Sequence, residues 1–271
     1  CRTSGTSGPA CPSVQQRGRM SNYLDSFQLK GYRALVTGAG RGLGEACALA
    51  LAEAGAEITL VARSKDQLEA VEKTIQNSGG KASVHKADLT KMEEIRKLEE
   101  LGPFSILVNN AGINRPQSFE EVQENDFDDV LDLNVKSAFF VAQSVARGMI
   151  KARRGGSIIN MSSQMGHVGG RNRSVYCATK HAMEGFTKGM ALDLAAHKIR
   201  VNTVCPTFIE TALTKPFLEN KEFMQDILNR IPLGHVGQPE DVAGAVLYLA
   251  SNASRLVSGS SIKVDGGWTA V

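Results

Sequence analysis

The stretch Thr37-Gly38-Ala39-Gly40-Arg41-Gly42-Leu43-Gly44 decides the fold of this 271-residue chain. An apolar run, residues 32–37, leads into it, and an Ala/Leu-rich helical pattern, residues 43–54, follows it. Glycines between a strand and a helix let the backbone approach a pyrophosphate, which the free N–H groups and dipole of the helix N-terminus stabilise. The spacing is GxxxGxG, and no Gly-Lys-Ser/Thr ends it, which excludes a Walker A loop. The stretch predicts a dinucleotide site, with a plain flexible turn as the alternative.

Short apolar runs and helical patterns alternate along the rest of the chain, which is typical of a parallel sheet built from βαβ units. The predicted strands are residues 32–37, 57–62, 82–86, 105–109, 156–161, 199–204 and 261–264. The predicted helices are residues 43–54, 65–77, 92–101, 127–149, 175–197 and 240–251. We therefore expect an α/β protein with a Rossmann-type, doubly wound, seven-stranded parallel sheet and helices on both faces, forming a single domain over residues 20–271. Residues 207–237 interrupt the alternation and are expected to form a substrate lid.

Composition and charge exclude several classes of protein. With 42% hydrophobic residues the body can bury a core, and no apolar run reaches the roughly 20 residues that a membrane span needs. Residues 1–19 hold three arginines and no acid, so the net charge of +3 belongs to them, and a neutral body argues against nucleic-acid binding. That segment is expected to be a disordered tail or an artefact added upstream, with an organelle transit peptide as the alternative. The five cysteines show no metal-ligand spacing, which indicates no metal site and a reducing, cytoplasmic location.

Further motifs follow in a fixed order. Asn109-Asn110-Ala111-Gly112 comes after the fourth predicted strand, Asn134 lies in the next helix, and Ser163 precedes Tyr176-Cys177-Ala178-Thr179-Lys180 by thirteen residues. Together with the glycine-rich stretch, this order and spacing resemble the short-chain dehydrogenases/reductases over residues 29–268. The resemblance implies a catalytic tetrad of Asn134, Ser163, Tyr176 and Lys180. It also implies a set of cofactor-binding residues: Thr37, Gly38, Arg41, Gly42, Leu43, Gly44, Arg63, Asp88, Leu89, Asn110, Ala111, Gly112, Tyr176, Lys180, Pro206, Thr207, Ile209 and Thr211.

The acid–base chemistry centres on Tyr176 and Lys180, which share a helix face because they lie four residues apart. The Lys180 ammonium and an oxidised nicotinamide are expected to lower the phenol pKa toward working pH. By resemblance, Ser163 orients the substrate oxygen, although Ser162 could exchange roles with it. Asn134 resembles the residue that holds a water connecting Lys180 to solvent, and a packing or bend residue is the alternative.

The end of the second strand points to NADP(H) rather than NAD(H). An acid at this position pairs with the ribose hydroxyls of NAD. Here Ala62 takes that place and Arg63 follows, so a guanidinium can form forked, charge-assisted hydrogen bonds with a 2′-phosphate. Arg41 could approach the same phosphate, and solvated surface charges are the alternative for both arginines. Asp88 resembles the residue that binds the adenine amino group, and it could instead cap a helix.

Substrate recognition is expected from Gln164, Arg173 and Phe208, because residues 164–175 are polar and the predicted lid has an apolar side. This composition favours a small polar substrate such as a sugar, polyol or keto acid, although exposed loop polarity or subunit contacts would explain it too. Thr207 stands where the family usually has glycine after proline, so the strand end could shift or contact substrate through its hydroxyl.

The expected function is an NADP(H)-dependent oxidoreductase that interconverts a carbonyl compound and an alcohol. A 3-oxoacyl-(acyl-carrier-protein) reductase is the alternative enzyme, and a dinucleotide-sensing scaffold is the alternative without catalysis. By resemblance, the partners are a small-molecule substrate and further copies of the chain in a homotetramer, a dimer of dimers. The two long helices and residues 264–268 would form its interfaces.

Overall fold

Seven strands form one parallel sheet in the computed structural model of this protein, which describes residues 22–212 and 214–270. The tail expected at residues 1–19 therefore lies outside the described residues. The strands are β1 (Arg33–Thr37), β2 (Glu57–Ala62), β3 (Lys81–Lys86), β4 (Ile106–Asn109), β5 (Gly156–Met161), β6 (Ile199–Pro206) and β7 (Ser261–Val264). Their order is β3-β2-β1-β4-β5-β6-β7, and every neighbouring pair is parallel. The order reverses between β1 and β4, which is where ligands bind in open α/β sheets.

Helices cover both faces of this sheet, as predicted. They are α1 (Gly42–Glu53), α2 (Lys65–Asn77), α3 (Met92–Lys97), α4 (Glu124–Leu131), α5 (Ala138–Ala152), α6 (Ser174–Asp193), α7 (Lys215–Leu218), α8 (Lys221–Leu228) and α9 (Pro239–Ala250). Successive residues of β1 point to opposite faces, so Ala34 and Val36 join the core under α1 and α9, while Leu35 joins the core under α5. No helix in the described ranges is long and apolar enough to cross a membrane.

The single helix predicted for residues 127–149 is interrupted. α4 and α5 are joined by a π-helical turn, Asp132–Ser137, and Asn134 at its centre is fully buried. Its side chain accepts a hydrogen bond from the Ile113 amide (2.8 Å) and donates one to the Ile113 carbonyl (2.8 Å). A side chain bound to a neighbouring loop explains the local widening, since π turns commonly mark such sites in helices.

Within the described residues 207–212 and 214–237 there are short helices but no strand, as predicted. α7 and α8 lie here, and an isolated bridge joins Ile209 to Gly237. A separate apolar cluster of Ile227, Ile231 and Val236 packs with Phe208 and Trp268 at the carboxyl end of the sheet. This segment therefore has its own small core beside the strand ends.

Candidate active site

Glycine is required at several positions of the turn between β1 and α1. Gly38 and Gly42 have φ values of 63° and 60°, in the left-handed region that favours glycine. A Cβ on Gly44 would lie 2.2 Å from the Gly38 carbonyl oxygen. The side chain of the N-cap residue Arg41 makes no capping hydrogen bond, so the first-turn N–H groups have no side-chain acceptor there. Backbone donors at a bare helix N-terminus are well suited to bind phosphate.

Thr37 and Asn110 connect this turn to the loop after β4. The Thr37 hydroxyl accepts hydrogen bonds from the amides of Asn110 (2.9 Å) and Ala111 (3.0 Å). The Asn110 side-chain amide donates to the carbonyls of Thr37 (3.0 Å) and Gly38 (3.3 Å). Both residues were predicted to bind cofactor, but their polar side chains are engaged by the protein. They hold the two loops together and thereby position the backbone of Ala111.

The ends of β2 and β3 bring Arg63 close to Asp88. Burial alone would raise the pKa of Asp88, but hydrogen bonds from Thr90 and the charges of Lys91 and Arg63 lower it overall. Asp88 is not the cap of α3, because Lys91 occupies that position. Arg63 is exposed and, like the equally exposed Arg41, forms no salt bridge within the described part of the chain. Leu89, by contrast, is buried.

Tyr176 and Lys180 face each other in the first turns of α6. The Lys180 Nζ lies 5.4 Å from the Tyr176 ring centroid and donates to the Met161 carbonyl at the end of β5 (2.7 Å). Burial lowers the pKa of Lys180 to about 8. Burial raises the pKa of Tyr176 to about 12, although hydrogen bonding with Ser163 and the charge of Arg173 oppose the rise. The expected lowering of the phenol pKa is thus not produced by the protein groups alone, because burial outweighs them.

Ser163 and Asn134 lie on either side of this pair. Ser162 and Ser163 directly follow β5, and the Ser163 hydroxyl accepts a hydrogen bond from the Met165 amide (3.1 Å). The Asn134 side-chain amide donates to the Thr179 hydroxyl (3.2 Å), and Thr179 directly precedes Lys180. Asn134 therefore ties the loop after β4 to α6, and its contact with Lys180 runs through Thr179.

The chain after β6 passes over the glycine-rich turn. The Thr207 hydroxyl oxygen is buried and has no hydrogen-bond partner among the described residues. Thr211 lies above Gly42, where a Cβ would be 3.5 Å from the Thr211 methyl. Ile209 is 3% exposed and belongs to the core, so any contact it makes with a ligand runs through its backbone. Pro206 ends the strand itself.

The three residues predicted to contact substrate lie shortly after β5 (Gln164), at the start of α6 (Arg173) and after β6 (Phe208). Gln164 is 1% exposed, and its side-chain oxygen also lacks a partner in the described ranges. The Arg173 guanidinium lies 5.8 Å from the Phe208 ring centroid, and its charge reaches Tyr176. Burial lowers the pKa of Arg173, and no carboxylate in the described chain forms a salt bridge with it. Phe208 packs in turn against Phe223 and Trp268.

A buried polar cluster next to Lys180 was not predicted. Glu184 and Cys205 are buried and His167 is half-buried, and their ligating atoms lie within 4.8 Å of one another. The sequence held one signal for it, since Glu184 is four residues after Lys180 and so lies on the same face of α6. The absence of a metal site was predicted from cysteine spacing and stays a prediction, because such spacing says nothing about a grouping formed by three separate elements.

Comparison with known proteins places this fold and site in a family. Residues 38–269 match the family model described as Enoyl-(Acyl carrier protein) reductase. The chain is 39% identical to gluconate 5-dehydrogenase from Gluconobacter oxydans, over 92% of this chain and 98% of that protein. It is 41% identical to L-xylulose reductase from Mesocricetus auratus, over 89% of this chain and 97% of that protein.

A solved structure gives the same result. The gluconate 5-dehydrogenase from Burkholderia cenocepacia, in complex with NADP and tartrate, superposes with a TM-score of 0.88 at 35% identity, covering 92% of this chain and 100% of that one. The chain belongs to the short-chain dehydrogenase/reductase family. It is an oxidoreductase that acts on CH-OH and C=O groups.

Proposed function

We propose that this protein is an NADP(H)-dependent oxidoreductase that interconverts the alcohol and carbonyl forms of a small hydroxylated acid, such as a sugar acid or keto acid. The observation that carries the substrate class is Arg173, a half-buried guanidinium beside Tyr176 that has no carboxylate partner in the described residues. A partly desolvated guanidinium binds a carboxylate through forked, charge-assisted hydrogen bonds. The relatives named for gluconate and the structure with NADP and tartrate support this proposal.

The structure fits a dinucleotide at the carboxyl ends of β1 and β4. Gly38, Gly42 and Gly44 would let the phosphates approach the backbone of the turn, and Arg63 and Arg41 would bind the 2′-phosphate. The residues proposed to enclose the remainder of the cofactor are Leu43, Asp88, Leu89, Ala111, Gly112, Lys180, Pro206, Thr207, Ile209 and Thr211. The buried, unpartnered Thr207 hydroxyl offers a hydrogen bond to the carboxamide end. When bound, NADP(H) supplies or accepts the hydride.

Tyr176 would hold the proton that is exchanged with the substrate oxygen, and Ser163 would orient that oxygen. The phenol pKa of about 12 keeps Tyr176 protonated at neutral pH, the form that reduction requires. Lys180 supports the phenol from one helical turn away. Asn134 would hold α6 and the loop after β4 in a fixed relative position, so that Tyr176, Ser163 and Lys180 lie close together. Residues 207–237 would close over the substrate as a lid, with Phe208 against Arg173.

A coenzyme-coupled assay tests the proposal. NADPH oxidation and NADP⁺ reduction would be measured with panels of sugar acids, keto acids, neutral keto sugars and polyols. Arg173→Gln should raise KM for acids by roughly 10–100-fold, the loss of one charge-assisted contact, and leave KM for neutral sugars almost unchanged. Arg171→Gln, at an exposed arginine two residues earlier, is the matched control. Equal effects of both variants, or a preference for neutral substrates, would contradict the acid class.

A 3-oxoacyl-(acyl-carrier-protein) reductase is the second candidate, favoured by 39% identity to the 3-oxoacyl-(acyl-carrier-protein) reductase from Thermotoga maritima over 89% of this chain. It would require a carrier-linked 3-oxoacyl substrate to give a higher kcat/KM than any acid or sugar of the panel. A dinucleotide-sensing scaffold would instead bind NADPH without turning over any member of the panel.

We also propose that the protein works as a homotetramer in the cytoplasm. Phe139 on α5 and Leu192 on α6 are 38% and 80% exposed in the single chain. Burying these large apolar side chains against another copy of the chain would stabilise an assembly. The described cysteines Cys47, Cys177 and Cys205 are all free thiols, as expected in a reducing compartment. Light scattering coupled to gel filtration measures the assembly, and Leu192→Lys should dissociate it.

A further inference from the structure

Glu184 is a buried carboxylate that the chemistry described so far does not use. It lies on α6, is 6% exposed, and follows Lys180 by one helical turn. A carboxylate in such a place is costly unless hydrogen bonds and countercharges compensate for the lost water. Its surroundings therefore require an explanation beyond packing.

Three hydrogen bonds, from β6 and β7, hold this carboxylate in its charged form. Its Oε2 accepts from the hydroxyls of Thr203 on β6 (3.1 Å) and Ser261 on β7. Its Oε1 accepts from the Cys205 thiol (3.3 Å). Burial alone would raise the pKa of Glu184, but these donors lower it overall. Glu184 is thus an anion fixed between the helix and the last two strands.

The countercharge of this anion is not supplied by His167. The His167 Nε2 lies 3.7 Å from Oε1, the one salt-bridge distance to Glu184 in the described chain. Burial lowers the pKa of His167, and Lys263 lowers it further, against the opposing charge of Glu184. The imidazole is therefore neutral near pH 7. Lys180, one helical turn earlier on the same face of α6, is a buried cation whose pKa the charge of Glu184 raises.

Lys180 depends on such a partner, because burial works against its charge. Its Nζ hydrogen bonds to a carbonyl, Met161, which carries no formal charge. Cys205 and Glu184 oppose the lowering of the Lys180 pKa by burial. Ionisable groups approach this pair from every packed element: Tyr176 on α6, Cys205 on β6, His167 after β5 and Lys263 on β7. Only Glu184 among them is an anion at neutral pH.

We propose that Glu184 is a positioning residue of the oxidoreductase reaction, which keeps Lys180 charged beneath Tyr176 and anchors α6 to β6 and β7. The inference rests on the proposed roles of Tyr176 and Lys180. It assigns the charge state of the lysine to a carboxylate that never touches substrate. A neutral Lys180 would neither support the phenol nor hold a ribose as an ammonium does.

The test measures the pKa of Lys180 directly and needs no turnover. Competitive acetylation with acetic anhydride, resolved by peptide mass spectrometry between pH 6 and 11, gives the Lys180 titration in the holoenzyme with a chelator present. Glu184→Gln should lower that pKa by up to about one unit, because opposite charges within about 4–6 Å shift pKa values by 1–3 units and Glu184 forms no salt bridge with Lys180 in the described chain. Glu184→Asp, which withdraws the carboxylate by one methylene, should lower it less.

Thr203→Val is the matched control, because it removes one hydrogen bond to Glu184 and leaves the charge. It should destabilise the fold without a comparable shift of the Lys180 pKa. The alkaline limb of kcat/KM for carbonyl reduction should move with the Lys180 pKa in the Gln variant and stay in place in the Val variant. An unchanged Lys180 pKa in Glu184→Gln, or in Glu184→Asp if the Gln variant does not fold, overturns the inference. Absent turnover by the wild type would refute the proposed function instead, while the acetylation result still decides the role of Glu184.

Discussion

Gly44→Ala tests whether the turn after β1 is built as tightly as the structure indicates. The new Cβ would lie 2.2 Å from the Gly38 carbonyl oxygen and 2.7 Å from the Asn110 side-chain nitrogen, whereas ordinary contacts are 3.4–4 Å. The carbonyl belongs to the backbone, so α1 must move away from the turn. Overpacking costs roughly 1–3 kcal/mol, and better helix propensity returns up to about 1 kcal/mol. The expected net loss is about 1–2 kcal/mol, or a Tm decrease of roughly 2–8 °C.

NADPH affinity should fall more than stability, because the displaced first turn of α1 carries the phosphate donors. Fluorescence titration should give a Kd at least about tenfold higher, which corresponds to 1.4 kcal/mol. Gly244→Ala is the matched control: it lies in the interior of α9, and its new Cβ would meet nothing within 4 Å. That variant should gain about 0.5–1 kcal/mol of stability and bind NADPH normally. If Gly44→Ala kept both its Tm and its Kd, the close approach of α1 to the turn would not exist in solution.

Three further changes probe the remaining parts of the site. Arg63→Asp replaces an exposed guanidinium by a carboxylate and should reduce the NADPH/NADH ratio of kcat/KM by at least about 100-fold, since charge-assisted hydrogen bonds contribute roughly 1.5–3 kcal/mol each; an unchanged ratio would show that Arg63 does not meet the phosphate. Tyr176→Phe should lower kcat by about a hundredfold or more while the Kd for NADPH stays the same, and retained turnover would remove Tyr176 as the proton donor. Lys180→Met should change how stability depends on pH. Burial lowers the native pKa of Lys180 to about 8 from its ordinary 10.5, so the wild type binds fewer protons folded than unfolded in this window and gains about 3 kcal/mol between pH 8 and 10.5. In urea unfolding, the free energy of unfolding of the wild type should therefore rise relative to that of the Met variant as pH rises through that window. A difference that stays constant with pH would contradict a buried ammonium.

The middle of the sheet could be predicted because β1, β2 and β4 carry short, near-continuous apolar runs. A short apolar run such as that of β4 is readily assigned as a buried parallel strand, and the glycine-rich turn identifies which strand is β1. The interrupted helix at Asn134 could not be predicted, because the cause is a hydrogen bond to Ile113, twenty-one residues away in the chain. Helical periodicity reports local spacing and contains no information about such a distant partner.

The same limit applied to the candidate site. Residue spacing along α6 predicted that Tyr176 lies beside Lys180, and the end of β2 predicted the position of Arg63. Each of these inferences needed only one element. The hydrogen bonds by which Thr37 and Asn110 join two loops could not be predicted, because each partner lies on the other loop, and their binding of a cofactor stays a prediction. Glu184 and Cys205 meet only after β6 has paired with β5 beneath α6. The pKa of Tyr176 required the burial of the phenol, which no spacing rule supplies.

The position of Thr211 over Gly42 has a kinetic consequence. The chain at Thr211 is fixed by the Thr214 hydroxyl, which accepts from the Thr211 amide (2.8 Å) and donates to the Ile209 carbonyl. A nucleotide bound beneath Thr211 would be covered by the first part of the proposed substrate lid, residues 207–237. Binding should follow a compulsory order, with the coenzyme first to arrive and last to depart. Product inhibition by NADP⁺ should accordingly be competitive with NADPH and noncompetitive with the carbonyl compound.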